Sequence, residues 1–244
     1  MNKRARGPGG RKAGGRAEKS AEGAAITDVQ PDAGKPGCVG VRSRGHRRWR
    51  IDDDAAADLG IARGRIIDAA LLARLDQAAA NTKARLKLQT RLATRQLSRL
   101  EAGALMRKAG AEPDYGKRVI ARFEQLGWID DAKLAEAVAS HEAARPVGKM
   151  RVVARVARRG IGGSEARRAA ESAVAARRES PLELAVIAAK SQVRKLPPRL
   201  DNDTKRRRVL GFLARRGFDE HTAREALEDV IGRRDGDGDG DGAD

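Results

Sequence analysis

Asp130 and Asp131 are adjacent carboxylates in the stretch GWIDDAKLAEAVA, residues 127 to 139. Two acids can share a proton in general acid–base catalysis or hold a metal ion, whereas an aspartate ahead of an alanine- and leucine-rich run can cap a helix. Side chains of consecutive residues do not aim at one atom, so the cap is the stronger reading. On it, Gly127 ends one helix, Trp128 and Ile129 turn inward, and Asp130 or Asp131 starts the next helix. Leu134 and Val138, four apart, then face the core.

The other candidates for chemistry are weaker. Asp235, Asp237, Asp239 and Gly240 match positions 1, 3, 5 and 6 of a calcium loop, but the bidentate acid of position 12 would fall at 246 and no exiting helix follows. An acidic tail is the simpler reading, one that could compete with DNA for a basic surface. His46, His141 and His221 lack the partners and spacing of a zinc site. No Gly-rich loop ends in Gly-Lys-Ser/Thr, and no serine sits in a nucleophile elbow. The sequence therefore predicts no enzyme, no catalytic or metal site and no cofactor.

Positive charge is the stronger signal. The chain carries 51 Lys and Arg against 34 Asp and Glu, a formal net charge of +17. An acidic partner is the simplest explanation, single- and double-stranded DNA above all, although GC-rich coding alone would also enrich arginine. Arg151, Arg155, Arg158 and Arg159 fall at i, i+4, i+7 and i+8, one stripe of a helix, with Val152, Val153 and Val156 opposite. Lys205, Arg206, Arg207, Arg208, Arg215 and Arg216 form the counterpart near the carboxyl end. Either stripe could be a solvated face. Recurrence beside a glycine makes Arg151, Arg155, Arg158, Arg159, Arg207, Arg208, Arg215 and Arg216 the candidate contacts to DNA or to an acidic protein groove.

The elements that must present these side chains are helices. From Asp52 to 232 the chain is filled with Ala, Leu, Arg and Glu, and glycines and prolines fall where helices end. Ser98 and Glu101 have capping-box spacing. Gly110, Gly127, Gly160 and Gly217 suit left-handed helix ends, and Pro181 suits a first turn. HRRWRI, residues 46 to 51, alternates basic and apolar side chains and could make one short strand. Through Arg50 there are 13 basic and four acidic residues, net +9. With few large apolar side chains, residues 1–44 read as a disordered basic arm that contains the lone Cys38. No apolar run is long enough to span a membrane, and a reducing cytoplasm is the expected location.

Gly110, Gly160 and Gly217 also align three similar pieces, from 102, 151 and 207, at separations of 50 and 57 residues. That period fits three short helices, each set needing a neighbour to cover its apolar face. The expected fold is all-α, an elongated array of tandem three-helix repeats with at most one short strand. The divisions are a helical region with that strand at 45–97, part of a first repeat at 98–130, a second repeat at 131–180, a third at 181–232, and a disordered acidic tail at 233–244.

These motifs in order resemble the core signature of the RecX family of recombinase regulators: GWIDDAKLAEAVA, then Gly148 with Arg151-Val152, then ARRGI at 157–161. FLARRGFDEHTAREAL at 212–227 is similar to the family's last repeat. RWRID at 48–52 with LGIARGRIID at 59–68 resembles the amino-terminal region of many members. Leu134 stands where members usually carry an aromatic, and Met106, Ala109 and Ala111 depart from the pattern in the first repeat. The resemblance spans residues 46 to 232. It implies a modular protein of tandem three-helix repeats that binds the groove of the RecA–DNA filament and inhibits ATP hydrolysis, coprotease function and strand exchange during DNA repair, homologous recombination and the SOS response; a monomer is expected. It also implies DNA binding by the protein itself.

Overall fold

Alternation decides the amino-terminal structure. In a sheet with one covered face only every second residue need be apolar, so a chain rich in Gly and Arg can still form strands. The computed structural model describes residues 21–45 and 48–232. Within it β1 (Ile26–Pro31), β2 (Cys38–Ser43) and β3 (Arg48–Asp52) form an antiparallel sheet in the order β1-β2-β3. The register sets Val29 beside Val41 and Val41 beside Trp49, with Val39 beside Ile51. These apolar side chains pack with Ile26, Ile67, Leu71 and Leu75.

The expected disordered arm is therefore corrected from residue 21 onward. Its few apolar residues are too sparse for a helix but sit at the alternate positions that one sheet face requires. Cys38 is buried in β2 as a small apolar side chain. Residues 1–20, His46 and the 233–244 tail lie outside the described residues.

Ten helices are seen among the described residues. The mostly helical class stands, with three strands where one was expected. The chain divides into two compact units. One ends at Ala84 and takes in Ala109–Glu112, and the other comprises Arg85–Lys108 and the chain from Pro113 on. The first unit holds the sheet, α1 (Asp53–Asp58) and the first sixteen residues of α2 (Ala69–Leu92). There Trp49 Nε1 donates to Asp76 Oδ1 at 2.7 Å, giving the buried indole its polar partner.

The second unit contains α3 (Arg99–Lys108) and α4 (Pro113–Gln125), then two sets of three helices. The first set is α5 (Asp131–Ala143), α6 (Lys149–Ala157) and α7 (Gly163–Ala175). Leu134, Ala139, Val152, Val156, Ile161 and Ala166 meet in its core. In the second set, α8 (Pro181–Val193), α9 (Asn202–Arg215) and α10 (Glu220–Ile231) enclose Leu184, Val209, Leu213, Phe218, Ala226 and Leu227. Alanine fills much of both cores, so the helices can approach closely.

Helix starts follow local chemistry. Ser98 and Glu101 make the reciprocal capping box, each side chain accepting the other's backbone N–H at 3.1 Å. Ser180 and Glu183 repeat it at α8, where Pro181 occupies the first turn. Asp201 and Asp219 accept from the amides of Thr204 and Thr222. Gly110, Gly127, Gly160 and Gly217 all have positive φ.

Candidate functional site

The two acids of GWIDDAKLAEAVA serve two different helices. Asp130 is the N-cap of α5 and accepts the Lys133 amide at 2.9 Å. That amide, aided by the Lys133 ammonium 3.2 Å away, holds the Asp130 carboxyl below its ordinary value. Asp131 Oδ1 instead accepts the backbone N–H of Arg99 at 2.8 Å, which is the first amide of α3. One carboxylate thus stabilises the positive end of a helix 32 residues earlier. Ile129 is buried as expected, but Trp128 is corrected. It remains 50% exposed, because its ring packs on Phe123 at 4.9 Å and not into the core.

The arginine stripes divide in the same way. α6 and α9 each run out into Arg-Arg-Gly, Arg158-Arg159-Gly160 and Arg215-Arg216-Gly217. In both triplets the second arginine turns back onto the helix set before it. Arg159 Nε and Nη2 bind the two oxygens of Glu101 at 2.9 Å each, and Nη2 also donates to Gln96 O at 2.9 Å. Arg216 Nη1 donates to Pro146 O at 3.1 Å, and its guanidinium lies 4.8 Å from the centroid of the Phe212 ring.

Gln96 and Pro146 each precede a helix N-cap by two residues, Ser98 for α3 and Gly148 for α6. The N-cap residues answer in kind. Ser98 Oγ donates to Arg159 O, and Gly148 N donates to Arg216 O. The same joint is therefore made twice, by the same triplet, against the same helix start.

The glycine of each triplet is there for close approach as well as for its left-handed backbone. A Cβ on Gly160 would stand 2.7 Å from the Leu100 side chain, and one on Gly217 would stand 2.3 Å from the Arg151 backbone nitrogen. At Gly148 a Cβ would come within 1.9 Å of Gly217 O. Backbone meets backbone here, and no side chain fits between them.

Arg151 also belongs to the second joint. Its Nε pairs with Glu142 Oε1 at 2.9 Å, and its Nη1 reaches Arg215 O at 3.4 Å. Glu142 is 3% exposed, so this carboxylate depends on the arginine for compensation. The remaining candidates, Arg155, Arg158, Arg207, Arg208 and Arg215, are exposed. Among the described residues no carboxylate lies within ion-pair reach of Arg158, Arg208 or Arg215, and Arg155 comes no nearer than 4.0 Å to Glu142.

No cluster of three or more His, Cys, Asp or Glu suited to a metal occurs among the described residues, and no described helix is long and apolar enough to cross a membrane. What the geometry offers is fixed positive charge on a jointed helical scaffold. Such a surface attracts anionic groups.

No family profile matches the chain. Curated relatives do. Regulatory protein RecX of Chlorobaculum tepidum is 29% identical over 142 residues, covering 58% of this chain and 84% of that relative. Regulatory protein RecX of Amycolatopsis mediterranei is 26% identical over 141 residues, covering 57% and 78%. The crystal structure of a regulatory protein RecX superposes with a TM-score of 0.60 at 15% identity, across 85% of this chain and 98% of the other. RecX from Lactobacillus salivarius superposes at 0.51 and 17% identity, across 62% and 96%. In sequence and in fold the chain is similar to RecX regulatory proteins.

The likeness extends to the fold, which is mostly helical with a small sheet. Glu142 and the arginine partner of Glu101 had no signature in the sequence, because each pair joins residues from different elements. The Arg-Arg-Gly recurrence was visible in the sequence as part of a basic stripe; that its second arginine makes a joint was not.

Proposed function

We propose that the protein binds a RecA-type recombinase filament on DNA and modulates, chiefly by inhibiting, its ATP hydrolysis, coprotease function and strand exchange in repair and recombination. The reading is carried by Arg155, Arg158, Arg207, Arg208 and Arg215, exposed on two successive three-helix sets of a chain similar to RecX proteins. Arg151, Arg159 and Arg216 are committed to joints, so of the eight candidate arginines these five remain available to a partner. Guanidinium groups held on rigid helices suit both phosphate oxygens and the carboxylates of a protein groove.

The test is titration of the purified protein into a DNA-dependent recombinase ATPase assay, with naked DNA as a competition control. Inhibition at saturating protein is expected. ATP hydrolysis that persists there would overturn the reading.

A second reading has its own support in the net charge of +17: sequence-nonspecific binding to the phosphate backbone alone. Backbone binding loses affinity steeply with salt as counterions are released, and it needs no recombinase. Filament binding requires the recombinase, so parallel titrations with bare and coated DNA separate the two.

A further inference from the structure

Helix α9 carries four consecutive cations, Lys205, Arg206, Arg207 and Arg208, directly after its first three residues. Arg207 and Arg208 are exposed, and Arg215, seven residues beyond Arg208, shares its face. Lys205 Nζ donates to Pro198 O at 3.1 Å. Arg206 donates to the carbonyl of Gly232, the residue that ends α10 with a φ of +87°. The chain that follows Gly232 is thereby rooted beside the cationic turn of α9.

That chain is Arg233-Arg234 and then DGDGDGDGAD, with five aspartates and no large apolar side chain in residues 235–244. It has charge to offer a surface and nothing hydrophobic to anchor it. Three residues past Gly232 reach at most about 11 Å and twelve reach at most about 43 Å. α9, with 14 residues, is about 21 Å long. The acids can therefore lie along the whole basic face.

We propose that residues 235–244 occupy the basic face of α9 formed by Arg207, Arg208 and Arg215, with Lys205 at its edge, and compete there with phosphate polyanions. The competition rests on the reading above that these arginines bind a polyanion, while occupancy of the face does not. Several weak, solvent-exposed ion pairs hold the segment, so the association is loose, sensitive to salt and displaced by a denser anion.

Zero-length carbodiimide coupling of the full chain, followed by peptide mapping, tests the occupancy. Aspartates of 235–244 should be joined to Lys205 in preference to Lys133 or Lys149. Even labelling of all three lysines, or none at Lys205, overturns the proposal.

Binding of a fluorescent single-stranded oligonucleotide tests the competition. Removing residues 235–244, or changing their five aspartates to asparagine, should tighten binding about threefold to tenfold near 50 mM salt, with the difference gone by about 0.5 M. Adding R208Q and R215Q to the shortened chain should erase the gain. Unchanged affinity on removal, or a gain that survives those two substitutions, overturns the competition. If neither form binds the oligonucleotide, the polyanion reading fails together with the competition, and the coupling result still reports whether the tail sits on α9.

Discussion

Arg159 closes on Glu101 with two parallel hydrogen bonds of 2.9 Å, between residues 58 apart in sequence. Glu101 is at the same time the acid of the α3 capping box, receiving the Ser98 amide. One carboxylate therefore fixes both the start of its own helix and the approach of a helix from the next set. Both side chains are 23% exposed, which places the pair between a surface ion pair and a buried one.

Arg159→Ala should lower stability by about 2 kcal/mol, in the range of a hydrogen bond to a charged group. Arg159→Lys should recover only part of that, since an ammonium cannot reproduce the two-pronged pairing. Urea denaturation measures both. Arg158→Ala, one residue away and exposed, is the control and should stay within about 0.5 kcal/mol of the parent. Equal losses for Arg158→Ala and Arg159→Ala would show that the joint contributes nothing.

Glu142 makes a related prediction. With Arg151 removed, its buried carboxylate faces only the distant Arg155. Arg151→Ala should cost about 2 kcal/mol, on the low side for a buried charge because the arginine is itself 39% exposed. Arg151→Ala with Glu142→Gln should be milder than the single change, since the orphaned charge is gone. A double variant less stable than Arg151→Ala would contradict the account.

The exposed set should behave oppositely. Changing Arg155, Arg158, Arg207, Arg208 and Arg215 to glutamine should leave each variant's unfolding midpoint close to the parent while weakening polyanion binding. On duplex DNA every phosphate that is no longer neutralised should reduce the salt slope by about 0.9. Fluorescence anisotropy across a salt series reads this. An unchanged slope in the five-fold variant would remove these residues from the interface.

What the sequence made legible was local. The Ser98 and Glu101 box and the Asp130 cap involve neighbours three residues apart, and the positive-φ glycines follow helical runs, so each could be read from a short window. The stripe of Arg151, Arg155, Arg158 and Arg159 showed which side of α6 is polar, but helical periodicity knows nothing of the chain packed against that side. Arg159 meets Glu101 and Gln96, and Arg151 meets Glu142 and Arg215, across 9 to 64 residues. The sheet was hidden for a compositional reason. Arg42, Arg48 and Arg50 occupy the alternate positions that a half-covered sheet leaves to solvent, which lowered the apolar content of the segment without weakening its strands.

The adjacent acids separate two caps experimentally. Asp130→Ala and Asp131→Ala should each cost about 1 kcal/mol, and because they act on different helices the losses should nearly add. Amide exchange distinguishes them. Asp131→Ala should speed exchange at Arg99 at the start of α3, whereas Asp130→Ala should do so at Lys133 in α5. Matching exchange patterns for the two variants would mean that Asp131 does not reach α3.

Acid should unfold the second unit through its caps. Backbone amides of Lys133, Thr204 and Thr222 hold Asp130, Asp201 and Asp219 below the ordinary carboxylate value. At Glu101 burial pushes upward, but the hydrogen bond from Arg159, the Ser98 amide and the charges of Arg159 and Arg95 outweigh it. In each case the folded group is the stronger acid, so between the two values the unfolded chain binds more protons and stability rises with pH. The contribution is complete above the unfolded values of about 4 and is lost as pH falls through the lower folded ones. Urea midpoints should thus be insensitive to these four groups between pH 6 and 8 and drop below about pH 4. Changing Asp130, Asp201 and Asp219 to asparagine keeps a capping oxygen but removes the titration, so the acid slope should flatten. A slope identical to the parent's would assign acid unfolding to other groups.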